Sequence, residues 1–375
     1  MIVRLRANLR QLRAALAPMR QRGLSLAGAL LWQLPAAVAL RGWRKLAQWL
    51  NARLLNRPLN AARFAAFQHS LSATEGLRWY VIVMPHTLHF LLPCLKLLQD
   101  QVPAVPLVLL ANGAKGWELV LLRQRLPGLP MFRLRTLPGS SLPHGDALSL
   151  LLEHHRGDFG IVDHDAYVFD PGLLARMKPA AGECMVTVFA QTSSATGLVV
   201  PLTHVLSFDA EALRRLMHHH RIDARQSRRV PARVAPLLAS IGLRPGVYLK
   251  DYQRFHDTLH LLLGVALAEG LRVRVEAMND AAPVMHVGGT SIGSHHTKNL
   301  FALHVHLRFL ELLGDPLISA RYAFLTRPLR SAAEALQRRP PGDRSWSTLP
   351  VVDELMQRLQ AAGAGHCIAA ATEPA

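Results

Sequence analysis

Acidic residues are missing from the start of this chain: up to Thr74 there is no Asp or Glu against 12 Lys and Arg, and the first acid is Glu75. The net charge of +18 therefore belongs mostly to an N-terminal extension, because the remaining 31 bases face 25 acids. With aromatics at only 6%, this placement argues against a general nucleic-acid binder, which needs a basic groove and stacking rings on its body. Cysteine is scarce too. Cys94, Cys184 and Cys367 lie far apart with no CxxC pair, which excludes a disulfide framework or a cysteine zinc site and favours a reducing compartment. The apolar run over residues 24–40 contains Gln33 and Pro35 and falls short of the roughly 20 residues a bilayer span requires. No G-x-G-x-x-G or G-x-x-x-x-G-K-[ST] sequence occurs, so dinucleotide-fold oxidoreductases and P-loop enzymes lose their main support, and Ser140-Ser141 and Ser193-Ser194 lack the G-x-S-x-G context of a serine hydrolase.

What remains is a chain of 375 residues, 50% hydrophobic, able to bury one large core or two modest ones. In the extension, Leu5, Leu9, Leu12, Leu16 and Met19 alternate spacings of four and three beside Arg6, Arg10, Arg13 and Arg20, which predicts an amphipathic basic helix. Trp32, Trp43 and Trp49 with Arg41, Arg44 and Lys45 suit a lipid headgroup zone. Residues 1–50 are thus a candidate membrane-surface element, with a packed helical subdomain or an oligomer contact as the alternative. Ala37-Val38-Ala39 also has the form of a signal-peptide cleavage triplet.

From Leu77 the rhythm changes to strands alternating with helices. Trp79–Met84, Val105–Leu110, Met131–Leu134 and Phe159–Val162 read as buried strands, separated by helices over about 87–101, 117–125 and 144–155. That alternation predicts right-handed crossovers and a doubly wound, mostly parallel α/β sheet with flanking helices. The fourth strand runs straight into Asp163-His164-Asp165. Ligands of open α/β sheets bind beyond the carboxyl ends of the strands, and two acids flanking one residue can share a divalent cation whose other ligands are phosphate oxygens.

This order of repeats with a terminal Asp-x-Asp resembles the GT-A nucleotide-diphospho-sugar glycosyltransferases, in the broad sense of family 2-like enzymes. The resemblance covers about 77–313. It implies that Met84 and Pro85 lie by the base and ribose of a donor, that Asn112 and Gly113 complete the nucleotide pocket, and that a helix starting at His144 borders it. It further implies that Asp163 meets ribose or metal and that Asp165 coordinates Mn²⁺ or Mg²⁺ bridging the diphosphate. Many such enzymes add a histidine from the C-terminal side of the domain, and His286, followed by Gly288-Gly289, matches that placement. The expected metal set is Asp163, Asp165 and His286. Two departures stand out: His164 separates the acids, and no Gln-x-x-Arg-Trp-like sequence is present, which disfavours processive synthesis.

An inverting transfer needs a base for the acceptor hydroxyl. Asp257 is the first candidate and Asp251 the second, although Asp257 also reads as the N-cap of a following helix. His218-His219-His220 reads as a solvated helix end. The segment Pro201–Pro236, with its Arg-rich stretch, reads as the acceptor side. The expectation is a metal-dependent glycosyltransferase of hexosyltransferase type, bacterial in style, cytoplasmic and peripheral at the inner membrane face. It would take a nucleotide-sugar donor and a glycan, protein or lipid-linked acceptor, with no nucleic-acid partner. A non-catalytic membrane-surface scaffold with the same fold is the alternative. The expected divisions are a basic helical extension over 1–74, a GT-A-like catalytic domain over 75–315 and a C-terminal helical segment over 316–375.

Overall fold

The computed structural model describes residues 34–51, 59–71, 76–250, 255–288, 290, 300–323 and 349–365. The basic helix expected over Leu5–Met19, the candidate base Asp251 and His295-His296 lie outside them. The chain divides into two compact units, one of 1–47, 85–93 and 287–375, the other of 48–84 and 94–286. These limits differ from the sequence divisions after residues 74 and 315.

The larger unit is built on four apolar runs. β1 (Arg78–Val83), β2 (Leu107–Ala111), β3 (Met131–Arg133) and β4 (Phe159–Asp163) fall within two residues of their expected positions. Trp79 to Val83 and all of β2 are buried, as both-face coverage in a parallel sheet demands. Each fully buried Val, Leu or Ile contributes about 1.5–3 kcal/mol relative to exposure. The sheet has seven strands in the order β10-β6-β9-β4-β1-β2-β3, the added members being β6 (Glu183–Thr187), β9 (Val205–Phe208) and β10 (Arg272–Val275). It is mostly parallel, as expected, and β9 alone runs against both neighbours, β4 and β6.

The reason for that reversal is local. No helix intervenes between β6 and β9; the link is the hairpin of β7 (Ala190–Thr192) and β8 (Val199–Pro201), and a chain returning without a crossover must pair antiparallel. A second two-stranded sheet joins β5 (Ala166–Val168) to β11 (Val284–His286), placing His286 opposite Ala166.

The flanking helices of this unit are α2 (Ala61–Ser70), α4 (Gly116–Arg125), α5 (His144–His154), α6 (Leu173–Arg176), α7 (Ala210–His220), α8 (Ala235–Ser240) and α9 (His260–Ala268), while α1 (Leu34–Leu50) and α3 (Leu88–Gln99) cross the unit limits. Pro35 stands in the first turn of α1 instead of interrupting a longer run, as suits a ring that fixes φ and lacks an N–H. Asp209 caps α7, its side chain accepting from the Ala212 N–H at 2.8 Å, and the helix ends on the three histidines as expected. The start of α9 differs from expectation. Its first residue is His260 after Leu259 in the left-handed region (φ 69°), so Asp257 precedes the cap instead of forming it.

The smaller unit contains α10 (Leu300–Leu313), α11 (Pro316–Arg321) and α12 (Leu349–Ala361). Phe90 and Phe309 meet there with ring centroids 4.6 Å apart, and His89 Nε2 lies 2.8 Å from His306 Nδ1. Trp43 and Leu46 of α1 are 42% and 49% exposed. Among the described residues no helix is long and apolar enough to cross a membrane.

Candidate metal centre and active site

Asp163 is the last residue of β4, delivered to the carboxyl edge of the sheet by the buried run before it. The antiparallel register of β9 sets Val205 opposite Val162, so the residue before β9, His204, arrives beside Asp163. The Asp163 N–H donates to the His204 carbonyl at 2.8 Å, and His204 Nδ1 lies 3.4 Å from Asp163 Oδ2. His286, at the end of β11, stacks on His204 with ring centroids 3.3 Å apart. Asp163, His204 and His286 each offer one ligand atom, all within 4.8 Å of one another.

Asp165 sits in the turn between β4 and β5, almost fully buried, with Oδ1 3.3 Å from His286 Nε2. Around it the field is negative. Burial, reinforced by Asp165, pushes the Cys94 thiol and the Tyr167 hydroxyl well above their ordinary values. The Cys94 Sγ faces the Asp163 carbonyl at 3.7 Å.

Of the expected metal set, the structure gathers Asp163 and His286 and sets His204 with them. Asp165 stands against His286 instead of in the three-residue cluster. His204 fell in the segment read as the acceptor side; the antiparallel β9 carries it to the metal-ligand edge. The donor set of one carboxylate and two imidazoles fits a first-row transition-metal divalent ion better than Mg²⁺, which prefers oxygen ligands and retained waters.

The remaining expected residues are placed as follows. Met84 follows β1 and is half-buried; Pro85 falls in the smaller unit. The Asn112 amide is engaged on both sides by Leu142, donating to its carbonyl at 2.9 Å and accepting from its N–H at 2.7 Å, so it ties the loop after β2 to the start of α5. Gly113 has φ +82°, and a Cβ there would lie 2.5 Å from the Ser140 carbonyl. His144 opens α5. Asp257 accepts from Lys250 Nζ at 3.0 Å, Gln226 Nε2 at 2.7 Å and the Thr258 N–H at 2.8 Å, which locks the loop before α9.

With the fold and this geometry in hand, likenesses to known proteins can be read. Residues 55–213, which carry β1 to β9 and both Asp163 and His204, match the model of a glycosyltransferase domain. Over these residues the chain is similar to a glycosyltransferase domain, and its mostly parallel α/β sheet is of the GT-A-like kind. The matching model is the StrH glycosyltransferase N-terminal domain, and it covers less than half of the chain. No curated protein matches. Among solved structures, mannosyltransferase PcManGT from Pyrobaculum calidifontis, in complex with GDP-Man and Mn²⁺, is similar at 15% identity over 87% of this chain and 96% of its own, with a TM-score of 0.38. An active-site mutant of LgtC shares 12% identity over 37% of this chain at a TM-score of 0.31, and the chain spans 59% of that protein's length. Glucosyl-3-phosphoglycerate synthase from Mycobacterium tuberculosis, in complex with Mn²⁺, UDP-Glc and phosphoglyceric acid, shares 14% identity over 49% of this chain and 71% of its own, with a TM-score of 0.29. Likenesses this faint carry no argument about substrate.

Proposed function

We propose that this chain is a divalent-metal-dependent glycosyltransferase that moves a sugar from a nucleoside-diphosphate donor to an acceptor hydroxyl. The observation that carries the reading is the cluster of Asp163, His204 and His286 at the carboxyl end of β4, two of whose members, Asp163 and His204, lie inside a segment that matches a glycosyltransferase domain. Asp163 supplies the hard anionic ligand, and His204 and His286 supply imidazole nitrogens. Asp165, with Oδ1 3.3 Å from His286 Nε2, fixes the orientation of that ring, as carboxylates behind metal-bound histidines do. Asp163, His204 and His286 would hold a divalent ion, which would supply positive charge to offset the negative charge developing on the leaving diphosphate.

The carboxylate of Asp257 is occupied by Lys250, Gln226 and Thr258, and this supports a structural role in place of the acceptor base. The test is a calorimetric panel of UDP-, GDP- and other nucleoside-diphosphate sugars with Mn²⁺, Mg²⁺ or chelator. One family of donors should bind in Mn²⁺ and lose most of its affinity in chelator. Equal binding with and without metal would remove the basis of the reading.

A further inference from the structure

Phe189 stands at the metal-ligand edge of the larger unit. It follows β6, and because β6 and β4 both run against the β9 between them, the carboxyl ends of β6 and β4 lie at the same edge. The Phe189 side chain is half-buried and its ring meets that of His204 with centroids 5.7 Å apart and planes inclined at 69°. Two hydrogen bonds fix its backbone: the Phe189 N–H donates to Thr187 Oγ1 at 3.2 Å, and its carbonyl accepts from the Leu202 N–H at 2.8 Å across the β7–β8 hairpin. An aromatic ring is thus held in place beside a member of the metal cluster, with part of its surface open.

The chain around this ring carries no charge. From Cys184 to Phe208 there is no Asp, Glu, Lys or Arg, in a sequence that is 18% charged. Gln191, half-buried between exposed Ala190 and Thr192, falls on the side of β7 that Phe189 shares, since side chains two apart in extended chain line one face. On the β6–β9 side, the metal edge therefore offers an aromatic ring, an amide and hydroxyls, and no cation. Two cations of the Arg-rich stretch after α7 are engaged within the protein: Arg225 pairs with Asp146 and Asp223, and Arg233 donates to the His220 and Arg221 carbonyls.

A nucleoside-diphosphate donor is gripped through its charge. An acceptor sugar without charge gains nothing from that grip and must be held by its C–H face and its hydroxyls. The C–H groups of a sugar ring are weakly positive and pack on the negative face of an aromatic ring.

We propose that Phe189 is the platform for the acceptor and that the acceptor is a neutral hexoside, its C–H face laid on the Phe189 ring and its hydroxyls met by uncharged groups such as the Gln191 amide. The inference rests on the transferase reading, which the donor panel tests separately.

Saturation-transfer NMR on the full chain reads acceptor binding without turnover, with the methyl glycosides of glucose, galactose and mannose as neutral probes and glucose 6-phosphate and methyl glucuronide as anionic ones. At least one neutral hexoside should take up saturation, most strongly at the C–H groups of one ring face. Added Mn²⁺ should broaden its signals, because the cluster lies alongside, and the anionic probes should give no response. This selectivity is read on the unsubstituted chain and needs no variant. Phe189→Leu, which keeps an apolar side chain against His204 and removes the flat ring, should weaken the hexoside about tenfold, the upper end of what an aromatic contact contributes, and Phe189→Trp should retain it. Mn²⁺ affinity in Phe189→Leu should stay within about twofold, whereas loss of a support behind a metal-bound histidine costs about 10- to 100-fold. In transfer assays the same variant should raise KM for the acceptor and not for the donor. Donor binding that is indifferent to metal removes the transferase reading and this inference with it. Where donor binding does depend on metal, silence from every neutral probe, a preference for the anionic probes, or a hexoside bound equally well by Phe189→Leu would overturn the inference alone.

Discussion

Asp163→Asn is expected to cut sugar transfer by about 10²- to 10³-fold while the melting temperature stays within a few degrees of the unsubstituted chain. The magnitude follows from removing one preorganised charge contact at a reacting diphosphate, worth roughly 3–4 kcal/mol in the transition state. The carboxamide is nearly isosteric, and the backbone N–H that ties Asp163 to His204 remains. Stability should therefore change little. The loss should fall on kcat more than on KM, because charge on the diphosphate grows as the glycosidic bond breaks. Steady-state kinetics with the best donor of the panel reads this directly; a variant that keeps more than a tenth of its activity would show that Asp163 is not a metal ligand in the reaction.

The largest expected effect on stability lies three residues earlier on the same strand. A Cβ added at Gly160 would sit 2.3 to 2.5 Å from three atoms of the Trp79 ring, and Trp79, its register partner on β1, is fully buried. Neither strand can withdraw without breaking the ladder that carries Asp163, so Gly160→Ala should destabilise by about 3 kcal/mol, the upper part of the range for overpacked cores. Chemical denaturation measures it. A loss below 1 kcal/mol would mean that the Trp79 ring has room to move.

The parts of this fold that were legible in the sequence are those that depend on local pattern. Continuous apolar runs marked β1 to β4, because a strand buried on both faces has no polar residues to spare, and Asp163 stood out as an acid ending such a run. Asp209 was legible as the point where a strand enters a helix for the same reason. His204 was not. Its place depends on β9 returning antiparallel after the β7–β8 hairpin, and no propensity in Thr203-His204-Val205 records which neighbour the strand will join. Asp257 was misread as the N-cap of α9 because the capping residue is Leu259 at positive φ, a conformation disfavoured by its side chain. Asn112 looked like a donor contact, and its amide is instead matched to the backbone of Leu142, thirty residues away.

The central claim, that one divalent ion is held by Asp163, His204 and His286 against a diphosphate, is tested most directly by Mn²⁺ titration followed by electron paramagnetic resonance, with and without a nucleoside diphosphate. The account predicts one tightly held Mn²⁺ per chain, held more tightly when the nucleotide is present. Asp165→Asn should weaken it about 10- to 100-fold and His204→Ala at least as much. Mn²⁺ binding that is unaltered in His204→Ala, or a nucleotide that leaves the Mn²⁺ affinity unchanged, would contradict it.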